Sequence, residues 1–436
     1  MADFRSSNIV TALRTLQGNT RIAVLFEPLW GVPFVLCNFY LSLYMKSLGV
    51  TDREIGYLIS LGFAAGAITS FLGGPLTDRL GRRKTTLIFD LIAWPAAYAV
   101  YIFSHSFWLF ALGMLVNSVW RIVSVSWNLM VVEDADNEQR RAAFNLLNIV
   151  TVATGILTPL AGLLVRYTGV VTAERALLAF AVLSISVQVI VRNRYFTETR
   201  AGRDILRQRQ EARANGARVG GVIASYREAF AALRSRKVLK VVCLVTLYMV
   251  FIPVGSFSSF YFAPYLTETL GLGKAAISLL GGLYSALLLV VLVVVVPLIS
   301  GGNRLGNMLV GLALQIAGLI MFVVIPTGSF ALVALAVAIY AAGFSIFKPF
   351  MDSMLAEVTE GRSRAGIYAL NNTFISLTGS GAAILSGYLF SLWPPAVWIA
   401  SAVILVGCSA ILFSLRRAEP ALADGPPVAT TQAKAV

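Results

Sequence analysis

Four ionisable side chains interrupt apolar runs, and through them this chain could move charge. Glu27 lies in VLFEPLWG and Arg121 in NSVWRIVS. Lys348 and Asp352 lie one helical turn apart in IFKPFMDSM. A charge near the centre of a bilayer costs at least ~2.5–3.5 kcal/mol, so it has a partner or a function. Burial favours the neutral carboxylic acid, whereas a nearby arginine favours the carboxylate. A carboxyl group placed between those influences can load and release a proton. Counted along membrane helices at ~1.5 Å per residue, Glu27 sits about 10 Å and Arg121 about 3 Å inward of the midplane. An arginine side chain bridges that gap, and Pro28 loosens the helix beside Glu27. Two plainer readings stay open. Glu27 and Arg121 form a static ion pair, and Lys348 and Asp352 neutralise each other.

Other chemistry is not suggested. Cys37, Cys243 and Cys408 are far apart inside apolar segments, which points to small buried hydrophobes and not to a disulfide framework or metal cluster. His105 is the single histidine and cannot form a metal site alone. There is no G-x4-G-K-[ST] phosphate loop, catalytic triad or cofactor motif, so no enzyme, no ATP coupling and no cofactor are expected. The net charge of +14 sits mostly in connecting segments and not in a nucleic-acid-binding face.

The elements that carry the four charges are membrane helices. Of the 436 residues 58% are hydrophobic, and runs of membrane length recur almost end to end. About 20 apolar residues span a ~30 Å hydrocarbon core. Twelve spans are expected, the seventh an unbroken run over 238–267. Most of the 35 Lys and Arg fall in segments on one side, which places both termini in the cytoplasm. The expected organisation is a six-helix bundle over 1–192, a basic linker over 193–237, a second six-helix bundle over 238–418 and a disordered tail over 419–436. Within the linker Val222, Ile223, Tyr226, Phe230 and Leu233 share one helical face, as in a helix lying on the inner membrane surface.

The halves repeat. VEDADNEQRRAAFNLLN after span four matches AEVTEGRSRAGIYALNN after span ten, pairing Glu133 with Glu357 and Arg140 with Arg364. The turn GGPLTDRLGRRK, residues 73–84, is matched by GGNRLGN, which has Asn303 in place of Asp78. In the first copy Gly74 is expected to let helix two approach a neighbour closely, and Gly81 to supply a left-handed backbone. Asp78 would pair with an arginine or hold a helix N-terminus, and Arg82 would reach Glu133.

This turn, with Gly74, Asp78, Arg79, Gly81, Arg82 and Arg83 in place, resembles the signature between helices two and three of the major facilitator superfamily. The resemblance implies an all-α integral membrane protein with twelve helices in two six-helix pseudo-repeats around a central cavity. It also implies a cytoplasmic latch of Asp78, Arg82, Glu133 and Arg140, with Glu357 and Arg364 as a weaker second copy. Helices one, four, seven and ten would line the cavity, and Glu27 with Arg121 resembles the helix-one acid and helix-four arginine of proton-coupled multidrug antiporters. Trp30, Trp120, Trp127, Tyr248, Phe257, Tyr261 and Phe347 would then suit a bulky, partly apolar substrate. The helix-five pattern of those antiporters is only partly kept: GILTPLAGLL retains Pro159 and Gly162. The expected function is secondary active transport, proton-coupled export of small amphiphilic molecules. The alternatives are a carrier of a polar metabolite such as a sugar, a lipid flippase and a transport-fold sensor. The expected partners are a small-molecule substrate, protons and the bilayer. A monomer in the bacterial cytoplasmic membrane is expected.

Overall fold

The computed structural model describes residues 15–214, 235–257, 259–299, 303–358 and 364–418. Among these residues all regular structure is helical and no strand occurs. Twelve helices are long and apolar enough to cross a membrane. They are Gly18–Ser47, Asp52–Leu80, Arg82–Phe103, Phe107–Val132, Glu138–Thr168, Val170–Tyr195, Arg236–Gly255, Ile277–Ile299, Arg304–Val324, Phe330–Leu355, Leu370–Leu392 and Ala396–Arg416. A helix satisfies its own backbone polar groups, which hydrocarbon cannot do for it. A further helix, Arg200–Ala214, follows the sixth span. The amphipathic face expected at Val222–Leu233 and the tail from Glu419 lie outside the described residues.

The seventh span is not the unbroken run expected. It ends at Gly255, and helix resumes only over Phe262–Pro264 and Tyr265–Thr269. Pro253 brings no N–H to the helix ladder, and Phe257, in the break, is buried. Its ring lies 4.1 Å from Tyr340 and 4.6 Å from Phe322, centroid to centroid. The backbone of the break stays hydrogen-bonded in turns, the Ser259 amide donating to the Ser256 carbonyl at 2.9 Å and the Phe262 amide to the Ser259 carbonyl at 3.2 Å. The third span carries a wide π turn at Ile92–Ala96 around Pro95, and Asn117 of the fourth span donates its side-chain amide to the Ala93 carbonyl there at 2.8 Å.

The chain groups into two compact units. One comprises Met1–Cys37, Ala65–Thr154 and Arg175–Gly221, and the other Asn38–Ala64, Gly155–Glu174 and Val222–Val436. The first, second, fifth and sixth spans are therefore each shared between units. In the first unit Ala23, Val24, Met130, Val131, Leu146, Leu147 and Phe196 form a buried core beside the charged turn. In the second, Tyr248, Phe257, Tyr265, Phe322, Tyr340 and Trp398 form a buried aromatic core. That unit also joins the fifth span to the eighth along an antiparallel seam. A Cβ on Gly155 would meet the Ser285 side chain. One on Gly282 would lie 2.8 Å from Pro159 Cγ, and one on Gly162 would strike Ser278 and lie 2.6 Å from the Ala275 carbonyl.

Candidate functional site: an ion network at the charged turn and the intramembrane charges

The charged turn nucleates an ion network within the first unit. Gly81 turns the chain with φ 86°, a left-handed value that favours glycine. Arg82 then opens the third span and is 3% exposed. Its guanidinium donates to Asp78 Oδ1 at 3.1 Å and to Glu133 through Nε and an Nη at 3.0–3.3 Å. Thr199 donates its hydroxyl to Glu133 as well. A buried guanidinium needs such charge-assisted partners, and here it has two carboxylates.

The anion on the helix N-terminus is Glu198, which the sequence reading missed. Its Oε1 accepts the Arg82 backbone amide at 2.9 Å and its Oε2 that of Arg83 at 3.1 Å. Asp78 does not take that role: it pairs with Arg82 and, at 3.8 Å, with Arg209 of the linker helix. Arg83 donates to the Asn193 carbonyl. Arg79 is exposed. Arg140 turns its guanidinium to the Val132 carbonyl at 2.8 Å and not into the carboxylate cluster. The close helix approach expected at Gly74 is absent, since a Cβ there would meet nothing within 4 Å. Gly73 holds that contact instead, 3.0 Å from Val125 Cγ2.

The second copy is built differently. Glu357 pairs with Arg304 at 2.6 Å, and Arg304 also donates to the Phe350 carbonyl. Arg304 aligns with Arg79 in sequence but occupies the position that Arg82 fills in the first copy. Asn303 accepts the Gly306 amide at 2.8 Å and so caps the ninth span. The Arg364 side chain lies outside the described ones.

Glu27 and Arg121 are partnered otherwise than the spacing predicted. No ion pair joins Glu27 to Arg121 among the described residues. Glu27, 9% exposed, lies within the electrostatic reach of Arg192 and Asp90. These two form a buried ion pair between the sixth and third spans. Counting along a helix says nothing of the azimuth of either residue, and the ion pair expected from it is not formed. Arg121 instead lies over the Trp120 ring, 4.2 Å from its centroid, and packs against Gly66. Lys348 and Asp352 do pair along their own helix, at 2.5 Å.

The aromatic residues expected to face a substrate divide. Tyr248 is fully buried, donating to Gln315 at 2.9 Å and packing on Phe347. Tyr261 is fully buried against Phe390, its hydroxyl donating to the Asp52 carbonyl at 3.2 Å. Both belong to the packing of the second unit, and so does Phe257. Trp30 joins Phe34 and Trp94 in a partly buried cluster, and Trp127 packs on the core of the first unit. A further polar cluster was missed, at the end of the spans opposite the charged turn. Lys46 bridges Asp52 at 2.5 Å and Glu268 at 2.6 Å. Nearby, the hydroxyls of Tyr57 and Tyr388 hydrogen-bond at 2.6 Å, and those of Ser60 and Ser380 at 2.8 Å. The signal for it was available, since Lys46, Asp52 and Glu268 are the charges at the ends of otherwise apolar runs.

Residues 32–263 and 244–434 match the family model of the Major Facilitator Superfamily. No curated protein sequence matches the chain at a significant level. Among solved structures the chain is similar to a POT family transporter in complex with 5-aminolevulinic acid, with 12% identity, a TM-score of 0.70, and 94% of this chain and 99% of that one covered. It is similar to a point mutant of the nucleoside transporter NupG, with 14% identity, a TM-score of 0.67 and coverages of 94% and 100%. It is also similar to the xylose transporter XylE from E. coli, with 13% identity, a TM-score of 0.65 and coverages of 94% and 98%. At these identities the structures speak for the fold alone, whereas the family model matches nearly the whole sequence from residue 32 onward. With twelve membrane-length helices, the charged turn and that match together, the chain belongs to the Major Facilitator Superfamily.

Proposed function

We propose that this secondary transporter couples proton movement to the export of small amphiphilic molecules by alternating access, with Glu27 as the proton carrier. The observation that carries the reading is the setting of Glu27. Its carboxyl is nearly buried in the first span and lies near the Asp90–Arg192 pair without an ion pair of its own. A carboxyl group so placed changes its proton affinity when a neighbouring charge moves. Arg192 is the cation proposed to tune it, in place of Arg121. Pro159 and Gly162, the two residues kept of the helix-five pattern of antiporters, lie in the seam with the eighth span.

The network of Asp78, Arg82 and Glu133 is proposed as the cytoplasmic latch, with Arg140 holding the loop behind it and Glu357 and Arg364 in the second copy. Both termini are placed in the cytoplasm of a bacterial cell, the protein acting as a monomer in its membrane. The two six-helix bundles, 1–192 and 238–418, are the proposed moving bodies.

Proteoliposomes with an imposed pH gradient test the reading across a panel of amphiphilic cations, sugars, peptides and nucleosides. Gradient-driven movement of an amphiphile, lost in Glu27→Gln, is the expected result. Undiminished accumulation by Glu27→Gln overturns the role of Glu27. Movement of polar solutes alone favours the second reading, a carrier of polar metabolites. That reading draws support from the similar structures named as peptide, nucleoside and xylose transporters.

A further inference from the structure

We propose that Glu174 is a second proton-binding site, occupied when the end of the spans opposite the charged turn is closed. It lies one turn into the sixth span, in VVTAERALLAF. Glu174 is 0% exposed, and neither carboxylate oxygen has a hydrogen-bond partner. Asp90, another buried acid, is treated differently, since it is paired with Arg192, and Glu27 lies within the electrostatic reach of that pair. Glu174 is thus buried without a counter-charge.

The groups around it come from three elements. Tyr40 of the first span is the titratable side chain within its electrostatic reach. That hydroxyl donates to the Lys274 carbonyl at 2.7 Å and is also engaged with Ser278 at the start of the eighth span. Lys274 offers only its carbonyl here, and the residue is exposed. Ser278 is the residue against which Gly162 of the fifth span closes. Arg175 follows in the chain and leaves the helix about 100° around from Glu174. The Lys46–Asp52–Glu268 network satisfies its own charges. No cation among the described residues pairs with Glu174.

The chemistry follows from that isolation. An isolated carboxylate withdrawn from water costs several kcal/mol, more than a neutral acid with an unmade hydrogen bond. The closed packing therefore accommodates the carboxylic acid. Separating Tyr40 and the fifth span from Ser278 would admit water, in which the carboxylate is well solvated and releases its proton. The step is a plain protonation, one proton taken from water and one negative charge neutralised, with no other bond made or broken. By linkage, the proton that binds better to the closed form stabilises that form. The site goes beyond the role given to Glu27 and rests on the transport reading only for its effect on flux.

The test uses the full chain and needs no transported substrate. Infrared difference spectra between the wild-type protein and Glu174→Gln should contain the carbonyl band of a buried carboxylic acid at neutral pH, and the band should vanish at higher pH. Spin labels on Glu54→Cys and Leu392→Cys, with the native cysteines replaced, report the closure of this end by pulsed electron resonance. Raising the pH should shift their population toward longer distances, and Glu174→Gln should lose that shift and stay short throughout. Should the glutamine variant not fold, Glu174→Leu removes the same proton and serves in its place. A spectrum lacking the acid band at neutral pH overturns the proposal, and so do identical pH profiles for the two proteins. The Glu174 band should persist in Glu27→Gln. A protein that moves nothing down a pH gradient therefore refutes the transport reading without refuting the site.

Discussion

Glu198 is fastened to the backbone of Arg82, its Oε1 accepting that amide at 2.9 Å while Oε2 takes the amide of Arg83. A residue beyond the sixth span thus closes the N-terminus of the third, where the helix dipole favours an anion. Replacing a capping side chain of this kind costs about 1–2 kcal/mol. Glu198→Ala should lower the unfolding temperature in detergent clearly more than Arg79→Ala, whose side chain is exposed. Equal melting temperatures would remove the capping role.

Asp78 and Asn303 occupy matched positions with unlike partners. Asp78→Asn should reduce transport strongly while leaving membrane insertion intact, because Arg82 keeps its second carboxylate, Glu133, when the partly exposed Asp78 is neutralised. Asn303→Ala should cost about 1 kcal/mol of stability through the lost cap and leave most transport in place. Flux measurements paired with melting curves separate the two, and equal flux losses would contradict the asymmetry.

The Asp90–Arg192 pair is buried on both sides. Removing one partner leaves an uncompensated charge, at a cost of about 3–5 kcal/mol. Asp90→Asn should express poorly, and Asp90→Asn with Arg192→Gln should recover folding, since neighbours in contact act non-additively. The yield of monodisperse protein measures this, and no recovery in the double variant would argue against the pair.

At the seam of the fifth and eighth spans Gly162 faces the Ala275 carbonyl, which cannot rotate away. Gly162→Val should cost about 1–3 kcal/mol by overpacking. Adding Ser278→Ala should relieve only part of that loss, read as the melting temperature in detergent. Full restoration by the alanine would show that the serine alone, and not the backbone, sets the limit.

Asp136 precedes the helix Asn137–Gly155 of the fifth span, and its carboxylate accepts the Gln139 amide at 2.8 Å. That backbone hydrogen bond, with the Gln139 side chain and Arg140, holds its pKa below the ordinary 3.8. A depressed folded value means that the stabilisation is complete above the unfolded value and fades as the pH falls below it. The protection of the Gln139 amide, its exchange rate referred to the intrinsic rate at each pH, should therefore fall in acid, and Asp136→Asn should flatten that dependence. An unchanged acid response in Asp136→Asn would exclude the cap as its cause.

The charged turn was legible because its requirements are local. Gly81 needs only its own φ, and Arg82 with Glu133 needs only a short loop at each end of two antiparallel spans. Asp78 and Glu198 show the limit, since which carboxylate meets the third helix depends on where the chain returns after the sixth span. Glu27 and Arg121 show it again: residue counting gives depth along a helix, but the rotation of each helix is set by its neighbours. Tyr248 and Tyr261 could be assigned to spans, yet only packing decided that they point inward among other side chains.

The sequence by itself determined the twelve spans, the repeat, the family and the chemistry of the turn, because apolar length, charge placement and glycine conformation act within one segment or one turn. Tertiary structure alone decided the break of the seventh span at Phe257, the partnership of Asp90 with Arg192, the bridge from Lys46 to Glu268 and the isolation of Glu174. Each of those depends on which faces of distant helices meet. In a chain apolar on nearly every face, no amphipathic periodicity marks those faces in advance.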